Sequence, residues 1–375
     1  MVKTMNIHFL IDNQYSRKFI LYMNQHYGVE NNDFFVCPGN AELKFLNDIE
    51  NVIVLPGNSI KSILSIRNVV HKSKYKRLFI HCLGDVNLIP LFFKKKTQES
   101  IWIAWGGDYY PYINFPLYDK YTSEIIVKTK KRLNIKKLLF RIIRTYVIKY
   151  KVDNLAVSKV EYNLITDFYR IYPNRVNFKY PNPVSNSLKF EDKKKNIIKT
   201  ILIGNSGASS SNHIDAFYKL KNLKGDFKIV VPFSYAYTED YKRKVFSIGK
   251  ELFDNRITFL TDFMPPEVYI EVLKNVDVAI MNHFRQQGVG NIRLLINLGI
   301  KIYMNEINPF FKVCSDAGIS LSKIPYGDFN EDIFDEYSEE RKRKNKEGLD
   351  SFYSDSLIAD YLDKFFKETE FYDKE

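Results

Sequence analysis

The chain has 375 residues, of which 45% are apolar and 27% charged, and its formal net charge is +12. This length allows two domains, and the composition is that of a globular protein rather than a disordered one. The positive charge points to anionic partners, such as nucleotide phosphates, nucleic acid or an acidic membrane surface. The three cysteines are far apart in the sequence. This spacing argues against a disulfide framework or a zinc site and favours a reducing cytoplasm.

Short apolar runs, separated by stretches long enough for helices, predict two α/β domains. The runs cover residues 7–11, 34–37, 51–55, 77–83, 100–105 and 154–158, then 200–203, 227–231, 257–260, 276–281 and 301–304. A Pro-, Asn- and Lys-containing segment separates the two series. We therefore expect a first domain over residues 1–185, a second over 196–340 and a helical tail over 341–375. Two doubly wound domains would turn their strand-end loops toward a shared cleft.

A glycine-containing polar loop follows the apolar run at 276–281 and leads into an apolar helix. Arg285 supplies a fixed positive charge, while Gly288 and Gly290 allow a ligand to approach the backbone closely. The start of the next helix would direct unpaired N–H groups toward an anion. The loop therefore predicts a phosphate site. An ordinary strand-to-helix turn fits the same spacing, because short glycine patterns are weak signals.

A second loop, Gly204-Asn205-Ser206-Gly207, follows the run at 200–203 and has the small, polar residues of a phosphate or sugar-nucleotide loop. It lacks the Gly-Lys-Ser/Thr of a Walker loop and the GxGxxG of a dinucleotide site, which argues against ATP hydrolysis and NAD chemistry. A structural turn capped by Ser211 or Asn212 is the alternative interpretation.

Taken in chain order, several motifs together resemble glycosyltransferase family 56. They are Trp105-Gly106-Gly107-Asp108-Tyr109-Tyr110, Ile203-Gly204-Asn205-Ser206-Gly207, Asn212-His213-Ile214, Val231-Pro232-Phe233-Ser234-Tyr235, Tyr241, Arg285-Gln286-Gln287-Gly288-Val289-Gly290 and Asn308-Pro309-Phe310. The resemblance implies a GT-B architecture, which consists of two Rossmann-like domains with the donor nucleotide held mainly by the second. It also implies sugar transfer without a metal cofactor.

The resemblance further implies transfer of a deoxy-amino sugar, 4-acetamido-4,6-dideoxygalactose (Fuc4NAc), from a dTDP donor to a polyprenyl-diphosphate-linked saccharide. Such a reaction belongs to bacterial surface polysaccharide synthesis, for common antigen, O-antigen or capsule, at the cytoplasmic face of the inner membrane. Gly107 and Asn291 replace the family's usual Ala and Thr, so a UDP-sugar is an alternative donor. A non-catalytic nucleotide-sugar or nucleic-acid binding protein is the rival class. No nucleic-acid motif is present, and we expect no nucleic-acid partner.

Roles can be assigned to individual residues. Arg285 is a catalytic candidate because its charge can stabilise the leaving diphosphate. Asp108 is the candidate general base or acceptor-orienting carboxylate, and its alternative role is to cap a turn. The predicted donor-binding residues are Gly204, Asn205, Ser206, Gly207, Tyr235, His283, Gln286, Gln287, Gly288, Gly290, Asn291, Glu306 and Asn308. We see no metal-ligand cluster in the sequence.

The segment 128–151 carries ten Lys or Arg residues and no acidic residue. Helical spacing places apolar side chains on one face, namely Ile135, Leu138, Leu139, Ile142 and Tyr146. Basic side chains lie opposite, namely Lys137, Arg141 and Arg144. This pattern is typical of a helix lying in the interface of an anionic membrane, and we predict that these three basic residues contact it. A helix that packs its apolar face on a sheet is the alternative.

Overall fold

The computed structural model describes residues 5–37, 42–55, 60–128, 135–181, 189–190, 193–194 and 196–367, and of residues 60, 127, 128, 136 and 137 only the backbone. The chain divides into two compact units. Unit 1 comprises residues 1–115, 133–183 and 355–375, and unit 2 comprises residues 116–132 and 184–354. Each unit has its own parallel sheet.

The described strands β1 to β13 are Met5–Leu10, Asn32–Val36, Val52–Val54, Tyr75–His81, Glu99–Ile103, Asn154–Ala156, Asn174–Val176, Lys199–Ile203, Phe227–Pro232, Ile257–Leu260, Val278–Met281, Lys301–Met304 and Ser322–Lys323. The described helices α1 to α13 are Gln14–Tyr27, Ile60–Val70, Leu88–Phe92, Lys120–Lys128, Ile135–Lys151, Lys159–Tyr169, His213–Leu220, Glu239–Phe253, Pro266–Lys274, Val289–Asn297, Pro309–Asp316, Glu339–Tyr353 and Asp355–Phe366.

The sheet of unit 1 has the order β3-β2-β1-β4-β5-β6-β7, and its neighbouring strands are parallel. The central strands β1 and β4 are buried over most of their length, as parallel strands covered by helices on both sides are. Ile7, Phe9, Phe79 and Ile80 are all buried. The strand order reverses between β1 and β4, which is the topological switch point of a doubly wound sheet.

The last described helix, α13, packs on unit 1 although it follows unit 2 in the sequence. Ile358 and Leu362 belong to the same apolar core as Phe19 of α1. The Arg77 guanidinium on β4 donates to the carbonyl of Phe365 at 2.7 Å. The apolar face of this helix therefore completes the core of the first unit.

The sheet of unit 2 has the order β10-β9-β8-β11-β12-β13, again with parallel neighbours. Helix α4 joins this unit from the first half of the chain. The Asp215 carboxylate accepts the backbone N–H groups of Tyr121 at 2.7 Å and Thr122 at 3.0 Å, and Ile125 packs against the core. These contacts fix α4 to α7.

The predicted fold class of two parallel-sheet α/β domains is confirmed. Each predicted strand is found with ends shifted by at most two residues, while β7 and β13 were not predicted. The two units differ from the predicted domains, because residues 116–132 belong to unit 2 and the predicted tail is divided, with residues 341–354 in unit 2 and residues 355–375 in unit 1. No described helix is both long and apolar enough to cross a membrane.

Candidate functional site

Three loops of unit 2 follow β8, β9 and β11, which are adjacent strands of its sheet. Because these strands are parallel, their carboxyl ends lie at the same edge, where open α/β sheets bind ligands. The β8 loop contains Gly204 to Gly207, the β9 loop contains Tyr235, and the β11 loop contains Arg285 to Gly288. The sequence-predicted donor residues are therefore concentrated at one edge.

The backbone of the β8 loop is fixed at both ends. The Gly204 N–H donates to the carbonyl of Ile280 on β11 at 3.0 Å, and the Gly207 N–H donates to the carbonyl of Tyr235 at 3.0 Å. Gly204 has a positive φ of 68°, and a Cβ there would lie 3.0 Å from Nε2 of His213. A side chain at position 204 would therefore strain the turn and push His213.

Gln287 connects the β8 and β11 loops through three hydrogen bonds. Its Nε2 donates to Oδ1 of Asn205 at 3.2 Å and to Oγ of Ser211 at 3.0 Å, and its Oε1 accepts from Oγ of Ser210 at 2.6 Å. The Arg285 Nε–H donates to the same Ser210 hydroxyl at 3.1 Å. This network holds Arg285 in a defined orientation at the edge of the sheet.

The N-terminus of α10 is open. Gly288 is its N-cap, with a left-handed φ of 65°, no side chain of the described residues caps the helix, and the first turn has no acidic residue. The backbone N–H groups of the first turn and the positive end of the helix dipole could therefore accept an anion beside Arg285. A Cβ at Gly288 would lie 2.9 Å from Cγ of Asn205. Gly290 and Asn291 lie in the first helical turn.

Asn308 supports the β11 loop from the adjacent strand end. Its Nδ2 donates to the carbonyls of His283 at 3.0 Å and Arg285 at 2.8 Å. Its Oδ1 accepts the Phe310 N–H at 2.9 Å and so caps α11. Asn308 is buried, which suits a residue that shapes the loop carrying Arg285.

Two buried histidines lie beneath these loops. The His213 Nδ1 lies 3.2 Å from the hydroxyl of Tyr241, and burial lowers the pKa of His213 to about 3. Burial, followed by the charge of Arg285, lowers the pKa of His283 well below its ordinary value. Neither ring nitrogen of His283 has a hydrogen-bond partner among the described residues. Both side chains are therefore neutral at physiological pH.

The remaining predicted donor residues differ in their placement. Ser206 is buried, with its carbonyl accepting from Ser211 at 3.3 Å. The carbonyl of Gln286 accepts from the Arg285 guanidinium at 3.3 Å. Glu306 is exposed, and its carboxylate pairs with Lys323 at 2.8 Å. The structure therefore joins Ser206 and Gln286 to the loop cluster and places the Glu306 carboxylate in a surface ion pair.

Asp108 lies in unit 1 and is only 2% exposed. Its carboxylate accepts the Leu83 N–H at 2.7 Å, the Trp102 indole N–H at 2.8 Å and the Trp105 N–H at 2.9 Å. These are the contacts of a carboxylate that fixes a loop at the carboxyl ends of β4 and β5. They support the turn-capping role that the sequence left open, and the role of base stays a prediction.

Arg144 does not lie on the surface of α5, as the sequence spacing had placed it. It is 1% exposed, and its guanidinium donates to the carbonyl of Leu83 at 2.6 Å and to that of Asp108. Its carbon Cζ lies 4.2 Å from the centroid of the Tyr112 ring. The physical reason is that α5 turns its Arg144 face toward the loop of Asp108, which makes membrane contact by this residue sterically impossible.

The opposite face of α5 is exposed and apolar. The exposed side chains on this face, which we call the α5 surface, are Ile135, Leu138, Leu139, Ile142, Ile143, Tyr146 and Tyr150. Arg141 is exposed, whereas the side chain of Lys137 lies outside the described residues. The predicted apolar stripe therefore exists, and the unit 1 core does not cover it.

Sequence reasoning missed several residues at the edge of unit 2. Ser210 and Asn282 carry no motif that singles them out, yet Ser210 orients Arg285 and Asn282 Nδ2 donates to Asp119 at 3.2 Å. Tyr269 of α9 accepts a hydrogen bond from Asn291 at 3.3 Å. A tyrosine in the middle of a helix gives no signal in a chain with 15% aromatic residues. Within the described residues, no three His, Cys, Asp or Glu side chains could together hold a metal ion.

Solved structures of similar shape include glycosyltransferases. The lipopolysaccharide outer core galactosyltransferase WaaB is 11% identical with a TM-score of 0.59, over 97% of this chain and 100% of that chain. HepE of Anabaena, in complex with UDP-glucose, is 10% identical with a TM-score of 0.61, over 97% and 100%. A glycosyltransferase of Rickettsia africae is 11% identical with a TM-score of 0.60, over 97% and 98%. At these identities the likeness shows the GT-B fold alone.

The family is shown by the sequence. A model of the family described as 4-alpha-L-fucosyltransferase, glycosyl transferase group 56, matches residues 58–361. This match spans most of the chain and includes the loops around Asp108, Asn205 and Arg285. The chain therefore belongs to glycosyltransferase family 56 and is a glycosyltransferase.

Proposed function

We propose that this enzyme transfers a deoxy-amino sugar, Fuc4NAc, from a dTDP-sugar to a polyprenyl-diphosphate-linked saccharide in bacterial surface polysaccharide synthesis. The observation that carries the proposal is the open N-terminus of α10 beside an oriented arginine. The membership in a 4-alpha-L-fucosyltransferase family supports the class of sugar. The common-antigen, O-antigen and capsule pathways are all consistent with this acceptor.

The chemistry follows from the charge that the reaction creates. The bond between C1 of the sugar and the β-phosphate oxygen breaks, and its electron pair stays on that oxygen. The acceptor hydroxyl oxygen forms the new bond to C1 and loses its proton to a base or to water. Arg285 and the α10 N–H groups would stabilise the charge that develops on the leaving diphosphate. We propose that these fixed charges make a metal ion unnecessary.

The nucleoside of the donor has one alternative to thymidine. HepE, which shares the fold, was solved with UDP-glucose, so a UDP-sugar is the second candidate donor. A comparison of dTDP- and UDP-sugars as substrates decides between them.

The α5 surface supports a peripheral position at an anionic membrane, which would be the cytoplasmic face of the inner membrane. Its exposed side chains are apolar, and every charged residue of the segment 128–151 is Lys or Arg. An apolar helix face flanked by lysine and arginine binds anionic lipid through both burial and charge. A lipid-linked acceptor resides in such a membrane, so this position would bring enzyme and acceptor together.

Acceptor-dependent release of nucleoside diphosphate tests the proposal. The enzyme is incubated with dTDP-Fuc4NAc or the UDP-sugar, with and without a polyprenyl-diphosphate-linked saccharide. We expect dTDP and a glycosylated lipid only when the acceptor is present. Conversion of the donor without acceptor would instead indicate an epimerase-like activity. Donor binding with no turnover under either condition would indicate a binding module.

A further inference from the structure

Tyr269 on α9 stands beside the first turn of α10. The side-chain amide of Asn291, the third residue of α10, donates to the Tyr269 hydroxyl at 3.3 Å. Gly288, the N-cap of the same helix, precedes Asn291 by three residues. The Tyr269 hydroxyl is therefore held next to the positive end of the helix dipole and its free N–H groups.

The hydroxyl of Tyr269 has an uncommitted proton. A phenol can accept and donate at the same time, and here it accepts from Asn291. It makes no second hydrogen bond within the part of the chain that the structure describes. Burial, with a smaller effect of Tyr235, raises the pKa of Tyr269 above its ordinary value, so the group stays protonated. It is a neutral O–H donor in every physiological condition.

A second phenol is arranged in the same way. The Asn205 side-chain amide lies 3.4 Å from the hydroxyl of Tyr235, and Asn205 itself packs against Gly288. Each tyrosine hydroxyl thus accepts an amide N–H from an asparagine next to the start of α10. Tyr235 also has a side-chain hydrogen bond with Ser206, whereas the Tyr269 hydroxyl, which among the described residues only accepts from Asn291, keeps its proton for a ligand bound there.

We propose that Tyr269 binds the β-phosphate of the sugar-nucleotide donor by donating its O–H to a phosphate oxygen. This inference rests on the proposed function. Once the sugar has left, the β-phosphate carries more negative charge than the α-phosphate, so it takes the positive end of α10. A hydrogen bond to a charged oxygen strengthens as charge develops, and Tyr269 therefore assists departure of the nucleotide.

Replacement of Tyr269 by Phe tests the proposal, because the ring is kept and only the hydroxyl is lost. Binding constants are measured by titration calorimetry for dTDP and UDP and, in parallel, for dTMP and UMP, which lack the β-phosphate. We expect Tyr269→Phe to weaken diphosphate binding by about 10-fold, the value of one hydrogen bond to a charged group. Monophosphate binding should change by less than about twofold. Tyr326→Phe, at a fully exposed position of unit 2, is the matched control.

The outcomes separate this inference from the function on which it rests. Equal losses for diphosphate and monophosphate would overturn the β-phosphate contact, because the hydroxyl would then serve another part of the nucleotide. Unchanged diphosphate binding would overturn it as well. Failure of the wild-type enzyme to bind any nucleoside diphosphate would reject the proposed function and the inference together. The melting temperature of unliganded Tyr269→Phe checks that the variant is folded.

Discussion

At Gly288 a strained backbone conformation and close packing coincide in one residue. Its φ is 65°, and a Cβ would lie 2.9 Å from Cγ of Asn205. We predict that Gly288→Ala lowers the free energy of unfolding by about 1–2 kcal/mol, the cost of a left-handed L-residue. It should also weaken dTDP or UDP binding, because Asn205 must move. Urea unfolding and calorimetric titration measure the two effects.

The matched control for this substitution is Gly327→Ala in the same unit. A Cβ at Gly327 meets nothing within 4 Å, and the residue does not have a positive φ. It should therefore leave both stability and nucleotide binding unchanged. Equal behaviour of Gly288→Ala and Gly327→Ala would contradict the assigned role of the α10 N-cap.

The three N–H groups around Asp108 lead to a second prediction. An asparagine has only one acceptor oxygen, and its NH₂ group would face a donor, so Asp108→Asn leaves at least one buried N–H unsatisfied. We expect a loss of about 1–3 kcal/mol in the free energy of unfolding. Urea unfolding provides the value. Full stability combined with lost turnover would instead restore Asp108 as the general base.

Individual site residues were predictable to different degrees. The placement of Arg285, Gln287 and Asn205 at one edge of the sheet was predictable, because they lie in polar strand-end loops and parallel strands bring such loops together. The role of Asp108 could not be decided, because its partners Leu83 and Trp102 come from other elements. Tyr269 could not be found, because only the packing of α9 beside α10 reveals it.

Helix α5 shows what an amphipathic pattern can and cannot determine. The spacing correctly separated an apolar face from the face of Arg144, but it could not show which face the protein covers. The covered side carries Arg144, Val147 and Ile148. The two loop carbonyls that accept from Arg144 lie far away in the sequence, at residues 83 and 108. A buried arginine with backbone partners is therefore invisible to helical periodicity.

Replacement of Leu138, Leu139 and Ile142 by serine tests the α5 surface. These side chains are 53%, 54% and 58% exposed, so the substitutions remove apolar area that would enter lipid without opening the core. We expect cosedimentation with phosphatidylglycerol vesicles to fall at least 10-fold, since burying one leucine contributes about 1.5–3 kcal/mol. Wild-type protein should bind neutral phosphatidylcholine vesicles less well, because the basic residues then have no partner.

The control for this experiment replaces exposed apolar residues on another helix of unit 1. Ile63 and Leu64 of α2 are 40% and 49% exposed, and their replacement by serine should leave vesicle binding unchanged. Binding of the α5 variant at the wild-type level would remove α5 as the membrane contact.

Strands were predicted where apolar runs were long enough to be recognised. The two that were missed, β7 and β13, have the sequences Asn174-Arg175-Val176 and Ser322-Lys323. They are short and mostly polar, and each lies at an edge of its sheet. Their strand conformation comes from pairing with β6 and β12 rather than from their own pattern.

At the scale of the whole molecule, the chain leaves unit 1, builds unit 2 and returns. The tail expected over residues 341–375 is helical where the structure describes it, and its last helix is α13, Asp355–Phe366. Its placement on the core of unit 1 could not be predicted, because an apolar stripe does not identify its partner. The placement of α4 could not be predicted either, because α4 precedes α5 of unit 1 in the sequence but packs with α7 of unit 2.

Four buried histidines predict how stability depends on pH. Burial lowers the pKa of His8 and His213 to about 3 and that of His81 and His283 well below the ordinary value. Unfolded histidine titrates near pH 6.5, so their stabilisation is complete above that pH and is lost as pH falls toward 3. We predict that the free energy of unfolding decreases from pH 7.5 to 5.5. Raised pKa values of Glu161 and Asp215 act in the opposite sense.

Proton uptake on unfolding isolates the histidine contribution. At pH 6.0 each unfolded histidine binds about 0.8 proton, given a pKa near 6.5. His283→Gln should therefore reduce the uptake by about that amount, and calorimetry in buffers of different ionisation enthalpy measures it. An unchanged uptake in this variant would contradict a neutral, buried His283.

The most direct test of the central claim is nucleotide binding at the α10 N-terminus. Thermal-shift titration with dTDP, UDP, GDP, CDP and ADP reports any ligand that binds the folded state. We predict a selective shift with dTDP or UDP that Arg285→Ala abolishes or reduces strongly. Arg243→Ala removes an equal charge from an exposed position of unit 2 and should keep the shift. If none of the five nucleotides raises the melting temperature, or if the shift with dTDP or UDP survives in Arg285→Ala, this account of the donor site is contradicted.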